Sequence, residues 1–237
     1  MRNKFLSQEA LKLIACITML LDHFGHIIVP YLPVAHMEEL YYVCRIIGRI
    51  AFPIYCFLLC QGIVKTHNRQ KYILRLGIGA ALAELPFDFL FAGGFSWEHQ
   101  SVMVTLTLGA VMLLGMQKTE KKWLKLLLIL PFAILAEICK CDYGAGGIVM
   151  IAVFALFDRL SLQTVALFLV NWQLLPSAAI IVFGVVVIIQ LFATFAMVPI
   201  ALYSGRKLTY NKAIQWVFYL FYPVHLLLLW IVLRCIV

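Results

Sequence analysis

Charge is scarce in this chain. Only 13% of its 237 residues are charged, where a soluble domain carries about a quarter. A fold of this length in water would need a polar surface that the sequence does not hold. Disorder and coiled coil, which both need abundant charge, are excluded on the same ground. No CxxC occurs among the seven cysteines. Cys56 and Cys60 share a helix face and Cys139 and Cys141 flank Lys140, but neither pair has a second half, so no metal site is expected. There is no low-complexity tract, linker or internal repeat, which argues for a single domain over residues 1–237 and against an inverted-repeat transporter. No small-residue cleavage site ends the first apolar run, so MRNKFLSQEALKL reads as the lead into an uncleaved span.

What is present is apolar sequence: 64% of residues, with a mean hydropathy of +0.99. A crossing helix needs about 20 predominantly apolar residues. Reading between loop signals gives nine spans, near 10–30, 41–64, 72–92, 101–117, 123–139, 145–158, 160–175, 177–203 and 212–236. The sixth and seventh are short and are the two whose full crossing is least supported. The expected fold is an all-α polytopic transmembrane helix bundle in the lipid bilayer.

The net charge of +8 would in a soluble protein suggest nucleic acid, but here the basic residues sort by loop. Thirteen of nineteen Lys and Arg fall before span one or in alternate loops: Arg2, Lys4, Lys65, Arg69, Lys71, Lys118, Lys121, Lys122, Lys125, Arg159, Arg206, Lys207 and Lys212. The opposite side holds Lys140 and Arg234. Positive charge collects on cytoplasmic loops, so the N-terminus is expected inside and the C-terminus outside. No nucleic-acid partner is expected.

Four basic residues remain, and all fall inside spans: Lys12, Arg45, Arg49 and Arg75. Asp22, Glu84, Asp88, Glu137, His23, His26 and His225 do the same. A charge at mid-bilayer costs about 2.5–3.5 kcal/mol even on the lenient scale, so such residues face a bundle interior or a wet cavity. At about 1.5 Å per residue, Asp22 and His23 lie roughly 12 and 10 Å below the outer surface. Arg45 and Arg49 form one i, i+4 pair and Glu84 and Asp88 another, each on a single helix face. The pattern predicts an outer layer in which these arginines meet these carboxylates across neighbouring helices, with Glu137 and Asp142 at its edge. Asp22 points about 100° away from His23 and faces His26, so an orienting carboxylate for His23 is expected from Glu84 or Asp88. Lys12 and His23 lie eleven residues apart, about three turns and roughly 16.5 Å along one face. That places a cation near the cytoplasmic mouth and an imidazole in the outer half of one tunnel line. Arg75 adds a second cation at the cytoplasmic mouth.

Several blocks of the chain resemble the TraX family of membrane proteins: LKLIACITMLLDHFG (11–25), GRIAFPIYCFLL (48–59), ILRLGIGAALAELPFDFL (73–90), TLTLG (105–109), KCDYGAGG (140–147) and FYLFYPVHLLLL (218–229). The DHxG and YPxH elements are the most specific of them, and the resemblance runs from about residue 10 to residue 230. TraX is associated with N-terminal acetylation of F-pilin, and the family is similar to the transmembrane acyltransferases that include acyltransferase family three. That group shows a basic residue, ten others and a histidine in its first helix, the spacing of Lys12 and His23. The resemblance implies an acyl-CoA-dependent transmembrane acyltransferase of the bacterial cytoplasmic (inner) membrane. It would take acetyl-CoA or another acyl-CoA as co-substrate and use no metal. Its acceptor would be an external amine or hydroxyl: a peptide N-terminus, a glycan or a small molecule. In this scheme Lys12 and Arg75 bind the CoA phosphates, and His23 is the base or, in a variant, a transient acyl carrier. Asp22, Glu84 and Asp88 are its acidic neighbours, Arg45 or Arg49 stabilises an oxyanion, and His225 reaches the site from the last span. Two other classes fit the same intramembrane charges, a proton-coupled transporter or ion pathway and a non-catalytic partner in an envelope assembly.

Overall fold

The computed structural model describes residues 4–175, 179–182, 185–208 and 211–237. It is mostly helical. The helices are α1 (Gln8–Ile27), α2 (Met37–Gly48), α3 (Ala51–Lys65), α4 (Arg69–Phe91), α5 (Val102–Met116), α6 (Lys122–Ile138), α7 (Gly144–Leu156), α8 (Leu160–Gln173), the short α9 (Met197–Ala201) and α10 (Lys212–Ile236). Short polar residues start them. Ser7 accepts the Ala10 N–H at 3.1 Å, Asn68 the Lys71 N–H at 2.9 Å and Asn211 the Ala213 N–H at 2.8 Å, each pairing a backbone donor that the first turn cannot satisfy.

Among the described residues, three helical stretches are long and apolar enough to cross a membrane: Gln8–Tyr31, Met37–Lys65 and Ala213–Ile236. They coincide with expected spans one, two and nine. α4 has the length, 23 residues, but carries Arg69, Lys71, Arg75, Glu84 and Asp88. α5 to α8 run to 15, 17, 13 and 14 residues, below the usual 20 or so for a crossing. The span expected over 177–203 is not a helix there. Its described part is an antiparallel pair of strands, β1 (Ala179–Val182) and β2 (Val185–Ile188), then a 3-10 segment, Ile189–Ala196, and α9. The cause is local. The run AIIVFGVVVI is rich in β-branched residues, which favour the pleated conformation.

Span two is also interrupted. α2 stops at Gly48 and α3 starts at Ala51. Pro53 has no N–H for the Arg49 carbonyl, and its ring crowds that carbonyl, which breaks a helix at this point.

The chain forms two compact units, Met1–Tyr55 with Asn171–Val237, and Cys56–Val170. In the first, α1 packs on α2 and α10. Gly25 of α1 lies against Cys44, and Gly48 of α2 lies against the Asp22 side chain, with no room at either glycine for a Cβ. Replacing Gly48 with alanine is expected to cost about 1–3 kcal/mol, because the displaced group is a buried, doubly paired carboxylate. A thermal melt of the purified protein in detergent checks this, and a midpoint equal to the parent's would contradict it. In the second unit α4 packs on α5, α5 on α6 and α7, and α6 on α7. Ile148, Ile151 and Met112 fill its centre.

Candidate active site

Two polar constellations occupy the first unit, on different faces of α1. On the side facing α10, His23 Nδ1 lies 2.7 Å from His225 Nε2, with the ring planes within 13° of parallel. His225 Nδ1 lies 2.8 Å from the Phe221 carbonyl oxygen. A carbonyl only accepts, so Nδ1 of His225 carries its hydrogen. In a neutral imidazole the other nitrogen is then the acceptor. His23 Nδ1–H therefore donates to His225 Nε2, and the basic lone pair of His23 stands on Nε2. Tyr222 packs edge-on against both rings, and Phe221 stacks on His225.

The same seam continues toward the start of α1. Cys16 Sγ and Tyr55 Oη are 3.2 Å apart, and the Lys12 ammonium sits 5.1 Å from the centre of the Phe218 ring. Lys12 meets Phe218 and His23 meets His225, so α1 and α10 run parallel along this seam. Backbone bonds fix that register. Phe5 and Leu6 donate to the Leu202 carbonyl, Ser204 N–H to Leu6, and Gln8 N–H to Arg206.

On the side facing α2, the Asp22 carboxylate takes Arg45 Nη1 at 2.7 Å and Arg49 Nη2 at 2.5 and 2.6 Å. Arg49 also donates Nε–H to the Arg45 carbonyl and Nη1–H to Gln190 Oε1, both at 3.3 Å. Gln190 Nε2 in turn donates to Asn171 Oδ1 at 2.8 Å. Asp22, Gln190 and Asn171 are all buried. The carboxylate that both arginines meet is Asp22, on the neighbouring helix α1. The i, i+4 rule places a pair on one face but does not say which neighbour that face meets.

Glu84 and Asp88 lie in the second unit and serve loop backbones there. Glu84 accepts from Ser101 N–H and Oγ–H, at 3.1 and 2.5 Å, at the start of α5. Asp88 accepts the Ser96 N–H at 3.2 Å. Glu137 accepts the Ala145 N–H at 2.6 Å at the head of α7, and Asp142 lies 3.8 Å from His99. The orienting partner found for His23 is His225, and Glu84 and Asp88 hold loop ends. Arg75, exposed on α4, lies over the Tyr72 ring, in the second unit, whereas Lys12 lies in the first.

Sequence reasoning missed Asn171 and Gln190. Asn171 falls near the end of the span expected over 160–175 and is a wholly buried residue of α8. The available signal was a lone amide within an apolar run, a residue type that seeks a partner inside a bundle.

The chain is 29% identical over 240 residues to the probable fimbrial assembly protein FimC, serogroup H1, of Dichelobacter nodosus, covering 96% of each chain. It is 26% identical over 147 residues to Protein TraX of Escherichia coli strain K12, covering 62% of this chain and 54% of that protein. No solved structure matches it. The sequence model described as TraX protein matches residues 7–233, nearly the whole chain, so this membrane-type protein belongs to the TraX family.

Proposed function

We propose that this protein is an integral acyltransferase of the bacterial cytoplasmic membrane, moving an acyl group, acetyl by preference, from cytosolic acyl-CoA to an amine or hydroxyl at the outer face. The observation that carries the reading is the hydrogen bond from His23 to His225 on the same α1–α10 seam that holds Lys12. It holds the His23 imidazole in one tautomer against a neighbouring ring, with its lone pair on Nε2, the form that a base requires. Lys12 stands roughly 16.5 Å away along α1, a separation suited to a phosphate at one end and a thioester at the other. Topology follows the loop charges: nine crossings, N-terminus inside, C-terminus outside, with the span over 177–203 crossing in a form other than one helix.

The reaction balances without a metal. His23 Nε2 takes the proton of the acceptor amine or hydroxyl as that group attacks the thioester carbonyl. The tetrahedral intermediate collapses, the carbon–sulfur bond breaks, and the proton passes from the imidazolium to the leaving thiolate, releasing free CoA. Positive charge on His23 is shared with His225 through their hydrogen bond. Arg49 spends its donors on Asp22, Gln190 and the Arg45 carbonyl, which makes it a scaffold for the α1–α2 contact and a poor oxyanion donor.

The test is acyl-CoA binding by the purified protein. Acetyl-CoA is expected to raise the melting temperature, and Lys12→Ala to weaken apparent affinity about tenfold, the loss of one charge-assisted contact to phosphate. No shift with any acyl-CoA would overturn the reading.

A further inference from the structure

The cluster on the α2 side of α1 carries one positive charge too many. Two guanidiniums share a single carboxylate, and Gln190 and Asn171, the next members, are neutral amides. The other acidic residues of this unit are engaged elsewhere or exposed. Glu9 accepts the Leu208 N–H, Glu39 pairs with His36, and Glu38 is exposed at the head of α2. Arginine cannot lose its proton at any ordinary pH, so the excess is permanent. Inside an apolar bundle a permanent unpaired charge is costly, and a bound anion is the direct way to neutralise it.

Arg45 is the member with donors to spare. Among the described residues the only hydrogen bond of its guanidinium is Nη1 to Asp22, which leaves Nε and Nη2 uncommitted. It is also the more accessible: 22% of its side chain is exposed, against 11% for Arg49. Its neighbour Asp22 precedes His23 directly, with Cα atoms about 3.8 Å apart. An anion on Arg45 therefore lies one helix face, about 100°, round α1 from the proposed base.

We propose that Arg45, backed by Arg49, holds an acidic group of the acceptor, a carboxylate or a phosphate, while His23 works on the acceptor's nucleophile. The inference rests on the acyl-transfer reading and adds the acceptor's chemical class to it. The acceptor is an acidic amine or alcohol. Binding its anion neutralises the cluster, which removes repulsion against the positive charge that His23 takes up during transfer.

Two measurements test this. The first is thermal stability in phospholipid-free non-ionic detergent at low ionic strength, titrated with acetate, with inorganic phosphate, and separately with phosphatidylglycerol micelles. Acetate or phosphate is expected to raise the melting temperature of the parent. Arg45→Gln brings the cluster to neutrality and ends that shift. Asp22→Asn raises the excess to two and lowers the half-saturating concentration several-fold. A folding defect would weaken both variants alike, so opposite signs separate charge from damage. Stabilisation by phosphatidylglycerol alone would assign the site to a lipid headgroup and overturn the proposal, as would a small-ion effect that survives Arg45→Gln.

The second measurement compares acyl transfer to paired peptide amines that differ only in Glu against Gln, or phosphoserine against serine, next to the N-terminus. The acidic member is expected to show at least tenfold higher kcat/KM, and Arg45→Gln to bring the ratio near one. Transfer without charge preference sinks this inference and leaves the acyltransferase reading standing. Anion binding with no transfer to any acceptor sinks both.

Discussion

His23→Ala is expected to reduce acyl transfer by about 10²–10⁴-fold, the usual worth of a positioned general base. The loss should fall on kcat, because the imidazole acts on the proton in flight and not on the resting donor. Acetyl-CoA binding, read as thermal stabilisation, should therefore survive in the variant. His225 touches His23 and not the reacting atoms, so it is a positioning residue and its signature differs. His225→Ala should cost less than His23→Ala. His225→Gln, which restores an acceptor for His23 Nδ1–H, should recover part of the loss; a role in core packing alone would not discriminate in that way. With the 2.7 Å bond to His225 removed, His23 can adopt either tautomer, and the fraction carrying its lone pair on Nε2 falls. Radiolabel transfer from acetyl-CoA measures all three. Full activity in His23→Ala would end the mechanism, whatever the binding data show.

Asp22→Ala should be the most destabilising single change in the first unit, by about 3–5 kcal/mol, the cost of stranding buried charges by removing their partner. Two guanidiniums lose the carboxylate they share, and the gap against Gly48 stays unfilled. The penalty is largely electrostatic, which gives it a distinctive repair. Adding Arg49→Gln to Asp22→Ala should restore part of the lost stability even though it deletes another side chain. A cavity-driven loss would instead deepen. Denaturant or thermal unfolding of the two variants in one detergent decides between them, and a single-variant loss below about 0.5 kcal/mol would refute the account.

Much of the site was legible because ionisable residues stand out in apolar sequence. Lys12, His23, Arg45, Arg49 and His225 were picked out by that contrast, and helical spacing put Lys12 and His23 on one face. Partnership was not legible. Periodicity reports which residues share a face, while the choice of Asp22 over Glu84 and Asp88 depended on how closely α1 and α2 approach at Gly25 and Gly48. The carboxylates of α4 meet partners of another kind. Their acceptor sites are filled by backbone N–H groups at Ser96 and Ser101, donors that every sequence carries and none displays. The strand pair between Ala179 and Ile188 illustrates a further limit, since hydropathy cannot separate a buried strand from a buried helix when β-branched residues dominate the run.

The pairing of first and last helices has a consequence for how the protein comes into being. His23 and His225 are separated by 202 positions, so ribosomes working at about 5–20 residues per second leave the base without its partner for roughly 10–40 s. During that interval α1 is already made and the Lys12 face is exposed to whatever the nascent chain meets. The competent tautomer is selected only when α10 docks beside it. On the acyl-transfer proposal, an unfinished or prematurely released chain carries Lys12 but lacks the partner ring of its base. On that proposal, chemistry begins only once the last helix is made.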